Sequence, residues 1–141
     1  MFELKIVRER RQGYGTLRRV RDARDIYEAF RAHFEPADRE EFLVVLLDGC
    51  NQILGFNVVS VGSLTASIVH PREVFKPAII GSAASLVLVH NHPSGDPEPS
   101  AEDRALTDRL RGVADMVGIK IIDHVVIGDG VFVSFAERQL L

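Results

Sequence analysis

"VHNHPSGDPEPSAEDRALTDRL", residues 89–110, packs the end of a strand, a turn-rich loop and the start of a helix into one short stretch. The run "SLVLVHNH" (85–92) is apolar until its last residues, as in a buried strand, and Pro93 stops it. From Ser100 onward Leu106, Leu110, Val113 and Val117 recur at helical spacing, and Gly118 suits the residue just past a helix end. A buried strand that leads directly into an amphipathic helix predicts a sheet covered by helices.

The rest of the chain fits that frame. "FELKIVR" (2–8) alternates like a strand, and "QGYG" breaks it. In "DARDIYEAFRAHF" (22–34), Ile26, Phe30 and Phe34 fall on one helical face behind a possible Asp22 N-cap. "FLVVLLD" (42–48) reads as a central strand covered on both faces. "DGCNQ" is turn chemistry, and "ILGFNVVSVG" (53–62) is its antiparallel return. Pro71 opens a helix with Val74, Phe75, Ala78 and Ile79 on its apolar face, and Pro77 must be accommodated early in it. "IKIIDHVVIG" and "VFVSF" form a last strand pair around a "GDG" hairpin turn. The predicted order is β-α-β-β-α-β-α-β-β, a mixed sheet with helices, α/β or α+β, in one domain over residues 1–141.

Side chains on a strand alternate faces, so His90 and His92 point the same way and Asn91 points opposite. Two imidazoles emerging together can grip one cation such as Zn, Cu, Fe or Ni. A catalytic zinc takes three protein ligands and keeps a fourth position open. Asp103, in the first helical turn, is the natural third ligand, because a helix N-terminus tolerates a carboxylate. Asp96, Glu98 and Glu102 compete with it. Ser100 stands in S-x-x-D capping spacing with Asp103. Its hydroxyl serves a developing oxyanion only if the cap does not use it fully.

Composition narrows the classes. The chain is 46% hydrophobic and 26% charged, which suits one globular core. Its longest apolar runs are too short for a membrane helix, and the N-terminus lacks a signal peptide's apolar core. A single cysteine, Cys50, rules out an intramolecular disulfide and leads to the expectation of a reducing, cytoplasmic setting. The net charge is −3, yet residues 8–24 carry seven arginines against Glu9 and Asp22. That basic stretch is either a solvated surface or a weak contact, Arg8 to Arg24, for nucleic acid or another acidic partner. Several other motifs are absent. "HNH" on one strand does not match an HNH nuclease, whose residues are dispersed over a ββα unit. The single cysteine excludes the deaminase P-C-x-x-C, and H-E-x-x-H does not occur.

The spacing His90-x-His92-x7-Ser100-x2-Asp103 resembles the signature of the JAMM (MPN+/JAB) metalloprotease superfamily. "VHPREVF", "AASLVLVHNHPSGDPEPS" and "DHVVIGDGVFVSFAER" are similar to its bacterial RadC branch, so the resemblance covers about residues 38–138. It implies a JAB/MPN-type fold, a curved mixed sheet flanked by helices with cytidine-deaminase-like layering, and one Zn2+ per chain. It also implies a short form without the helix-hairpin-helix region of full-length RadC proteins. Carried over by position, His90, His92 and Asp103 are the metal ligands, and Ser100 assists the tetrahedral intermediate. Glu40, two before Phe42, is the general base, with Glu41, on the opposite face, as the adjacent alternative. The activity so implied is hydrolysis of a peptide or isopeptide bond in an unidentified protein substrate. The competing readings are a binding module of DNA metabolism and an inactive scaffold. His124, Asp123 and His70 also match the family. His124 reads as a core histidine or a support for the metal ligands; the other two carry no derivable role.

Overall fold

The computed structural model describes residues 1–3, 19–62 and 69–141. The strand expected at 2–8 and most of the basic stretch lie outside these. Arg19, which bridges Gln52 antiparallel, is the first residue that joins the sheet among those described.

Helix α1 (Ala23–Phe34) starts where its N-cap is predicted, with the Asp22 side chain accepting from the Asp25 N–H. Strands β1 (Glu41–Leu47) and β2 (Ile53–Val61) follow, then α2 (Pro71–Ile80) and β3 (Ser85–Asn91). Helix α3 (Ala101–Val117), β4 (Lys120–Ile127) and β5 (Phe132–Ser134) complete the order. Pro77 lies beyond the first turn of α2, not early in it as expected. Having no N–H, it cannot bond to the carbonyl one turn back.

The sheet order is β2-β1-β3-β4-β5. β1 runs antiparallel to β2 and β3, β3 and β4 are parallel, and β5 returns antiparallel to β4. This is an α+β fold with a five-stranded mixed sheet flanked by three helices among the described residues.

Alternation along β1 builds two cores. Phe42, Val44 and Leu46 face α2 and α3, meeting Phe75, Leu106 and Leu110. Leu43, Val45 and Leu47 face α1, meeting Ile26, Phe30 and Phe34. β1 and β3 are buried along almost their whole length, as strands covered on both faces must be. The parallel β3–α3–β4 crossover has one consequence for function. It sets the carboxyl end of β3 beside the amino end of α3, where open α/β sheets place their ligands.

Candidate metal centre

His90 and His92 leave the end of β3 on one face, as alternation predicts, and Asp103 meets them from the first turn of α3. The Nε2 atoms of His90 and His92 are 3.1 Å apart. His90 Nε2 lies 3.2 Å from Asp103 Oδ1, and His92 Nε2 lies 3.1 Å from Oδ2. Among the described residues this is the group whose ligand atoms converge, all within 4.8 Å of one another. The competing carboxylates serve elsewhere. Asp96 caps the Glu98 N–H and Glu98 pairs with Arg138 at 2.6 Å, while Glu102 is exposed on the first turn of α3.

Hydrogen bonds around the cluster fix its protons. Thr107 Oγ1 lies 2.7 Å from the Asp103 carbonyl oxygen, which only accepts, so the single hydroxyl proton goes there. His124 Nδ1, 2.7 Å from the same Oγ1, must then be the N–H donor. His124 is fully buried, and that burial, with the His90 ring beside it, pushes its pKa well below the ordinary histidine value. It is therefore neutral, its Nε2 is a lone pair, and the His90 Nδ1–H 2.7 Å away donates to it. His92 Nδ1 lies 2.8 Å from the Asp96 carbonyl oxygen and also donates.

His90 and His92 thus spend Nδ1 on other partners and turn both Nε2 atoms toward each other and toward a carboxylate. Two lone pairs and an anion at these distances repel unless a positive charge lies among them. A proton is one solution. Hydrogen bonding to Asp103, supported by the Asp96 carbonyl and the charges of Asp103 and Glu40, raises the His92 pKa against the effect of burial. Burial pushes Asp103 up, but hydrogen bonds with His90 and His92 and from the Ser100 N–H hold it far below the usual carboxylate range. A metal ion is the other solution, and the donor set fits one. Tetrahedral zinc with Zn–N of about 2.0–2.1 Å separates its ligand atoms by roughly 3.3 Å. A cluster of two neutral imidazoles and one carboxylate can bind a metal ion here.

The other expected residues have clear positions. Ser100 is the N-cap of α3 in a reciprocal capping box: its Oγ accepts from the Asp103 N–H at 3.0 Å, and its N–H donates to Asp103 Oδ2 at 2.8 Å. The cap uses an oxygen lone pair of Ser100 and leaves the hydroxyl proton to donate elsewhere. Glu40 immediately precedes β1 on the face of Phe42, whose ring stacks 5.9 Å from that of His90, and its charge acts on His92. Glu41 faces the opposite side, 2.7 Å from His33 Nε2 of α1. His70 is the exposed N-cap of α2 and makes no capping bond with its side chain. Asp123 accepts from the Ser134 hydroxyl and the N–H groups of His124 and Ala136, which anchors the C-terminal turn.

Two supports escaped the sequence reading. Thr107 is one turn after Asp103 on the buried stripe of α3; the signal was a hydroxyl at i+4 from a candidate ligand carboxylate. The "GDG" turn is a hairpin turn, as expected, and it also braces the ligand loop. The Asp129 N–H donates to the Gly95 carbonyl at 2.8 Å. A Cβ on Gly128 would collide with that same carbonyl and come within 2.9 Å of Pro97 Cδ.

The RadC-like JAB domain family matches the chain over residues 20–140. Curated relatives agree. The UPF0758 protein of Geotalea uraniireducens is 49% identical over 128 residues, 91% of this chain and 56% of its own. That of Pelobacter propionicus is 50% identical over 126 residues, 89% of this chain and 55% of its own. That of Moorella thermoacetica is 49% identical over 143 residues, 99% of this chain and 62% of its own. The chain therefore spans little more than half the length of these relatives.

Proposed function

This chain belongs to the RadC-like JAB domain family, and on that premise we propose that it is a zinc-dependent hydrolase of peptide or isopeptide bonds. The observation that carries the reading is the convergence of the cluster: His90 Nε2, His92 Nε2 and the Asp103 carboxylate lie 3.1 to 3.2 Å from one another, while the Nδ1 atoms of both histidines are engaged elsewhere. These three residues hold the metal. A bound zinc ion lowers the pKa of a coordinated water and polarises a carbonyl.

The chain's own groups do the rest. Glu40 takes the proton of the attacking water and returns it to the leaving nitrogen. The Ser100 hydroxyl proton, left over by the cap, donates to the carbonyl oxygen as it becomes negative. His124 and Thr107 keep His90 in its ligating tautomer, and the Asp96 carbonyl does the same for His92. Water is the nucleophile, so no covalent acyl-enzyme forms.

The test is metal content followed by hydrolysis of a panel of peptide and isopeptide-linked substrates. Wild type retains one zinc, and His92→Ala loses it. Glu40→Gln retains zinc and loses hydrolysis, whereas Glu41→Gln keeps both. Hydrolysis by Glu40→Gln at the wild-type rate removes Glu40 as the base.

A second reading, a weak nucleic-acid contact at Arg8–Arg24, is motivated by the seven arginines there. Arg21 is already paired with Asp25 at 3.1 Å, and Arg24 lies over the Phe132 ring. Binding to duplex DNA that falls steeply with salt and is lost in Arg18→Ala/Arg19→Ala supports the contact. Salt-insensitive or absent binding removes it. Among the described residues no helix is long and apolar enough to cross a membrane.

A further inference from the structure

Asn91 lies between the two histidines and faces the other way. It is only 5% exposed, and its amide is spent on a strand 50 residues earlier in the chain. The Glu41 N–H donates to Asn91 Oδ1 at 2.7 Å, and Asn91 Nδ2 donates to the Arg39 carbonyl at 3.1 Å.

The Arg39 carbonyl belongs to the peptide group joining 39 to 40. The Glu41 N–H belongs to the one joining 40 to 41. One side chain therefore holds both peptide planes that flank Glu40, and with them the direction of its Cα–Cβ bond. The β1–β3 register ends at Phe42↔His90, so the Asn91 amide continues the pairing where the ladder stops. On the other strand edge the Gly62 N–H donates to the Glu40 carbonyl at 2.7 Å.

We propose that Asn91 is a positioning residue: it fixes Glu40 in the same rigid frame that aims His90 and His92. This rests on the reading of Glu40 as the base. The tripeptide His90-Asn91-His92 then sets both halves of the site, with ligands on one face and the clamp for the base on the other. Such coupling matters because a displacement of about 1 Å in a reacting group can cost on the order of a hundredfold in rate.

The experiment uses cobalt(II) as the metal and follows its visible absorption against pH in wild type, Glu40→Gln, Asn91→Ala and Asn91→Leu. The leucine variant fills the space that alanine leaves, so a packing defect is separable from loss of the clamp. Amide hydrogen exchange at Glu41 reports the clamp directly. The expected result is that both Asn91 variants keep wild-type cobalt affinity, exchange the Glu41 amide faster, and move the pH midpoint in the direction Glu40→Gln moves it.

If Glu40→Gln moves the midpoint and the Asn91 variants do not, the clamp is refuted while the role of Glu40 stands. If the Asn91 variants lose cobalt, Asn91 serves the ligand strand instead, and the proposal is again overturned. If Glu40→Gln leaves the profile unmoved, the base assignment falls and the proposal with it.

Discussion

Replacing Thr107 by valine is the sharpest probe of the buried proton chain. Valine keeps the shape and removes one oxygen. Thr107 is fully buried, so water does not take the oxygen's place. The Asp103 carbonyl keeps its helical partner one turn on, but His124 loses the acceptor for Nδ1–H, 2.7 Å away in the wild type. A buried donor left unsatisfied costs about 1–3 kcal/mol. Metal-free protein can escape by moving the His124 proton to Nε2. That proton then faces His90 Nδ1, 2.7 Å away, and drives the His90 proton onto Nε2, where a metal would bind. Metal-loaded protein has no such escape and bears the whole cost. Thr107→Val is therefore expected to weaken zinc binding by roughly fivefold to 150-fold. Thr107→Ser, which restores the hydroxyl, is expected to recover most of the loss. Competition with a chromogenic chelator measures the affinity, and nitrogen NMR of the imidazoles reads the tautomer of His90. Wild-type affinity together with an unchanged His90 tautomer in Thr107→Val would refute the chain as the device that sets the ligand.

Three further outcomes are expected. Gly128→Ala pushes the Gly95–Pro97 loop away from the turn, so zinc affinity falls by about ten- to a hundredfold through the support of His92; unchanged chelator competition would count against the brace. Saturating zinc at a hundredfold over its Kd stabilises the fold by about 2.7 kcal/mol, visible as a Tm rise that a chelator reverses and that is missing in His92→Ala. Burial raises the Asp123 pKa over the opposing hydrogen bonds from Ser134, Ala136 and His124. The folded state then holds that proton more tightly than the unfolded chain, so wild type gains stability relative to Asp123→Asn as pH falls from the raised value toward the ordinary carboxylate value. Thermal melts of the pair across that window check the sign, and a gap that is flat or opens the other way contradicts it.

Much of this site was legible before the fold was known, and the reason is local geometry. A period of two puts His90 and His92 on one face and Asn91 on the other whatever surrounds them. Helical spacing with a serine at the N-cap announced α3 and placed Asp103 in its first turn. The apolar run of β1 announced a strand covered on both faces, and Glu40 and Glu41 had to part company across it. Each of these conclusions needs only a few consecutive residues, because backbone stereochemistry repeats over that range.

The tertiary structure decided what joins distant segments. The parallel β3–α3–β4 crossover selected Asp103 over Asp96, Glu98 and Glu102. Packing joined His90 to a histidine 34 residues later, Glu41 to His33, and Asn91 to the backbone around Glu40. No periodicity encodes such pairings; they follow from which faces bury apolar surface together, a property of the whole chain. The sequence alone thus determined which side chains share a face, and the fold determined which of them share a proton.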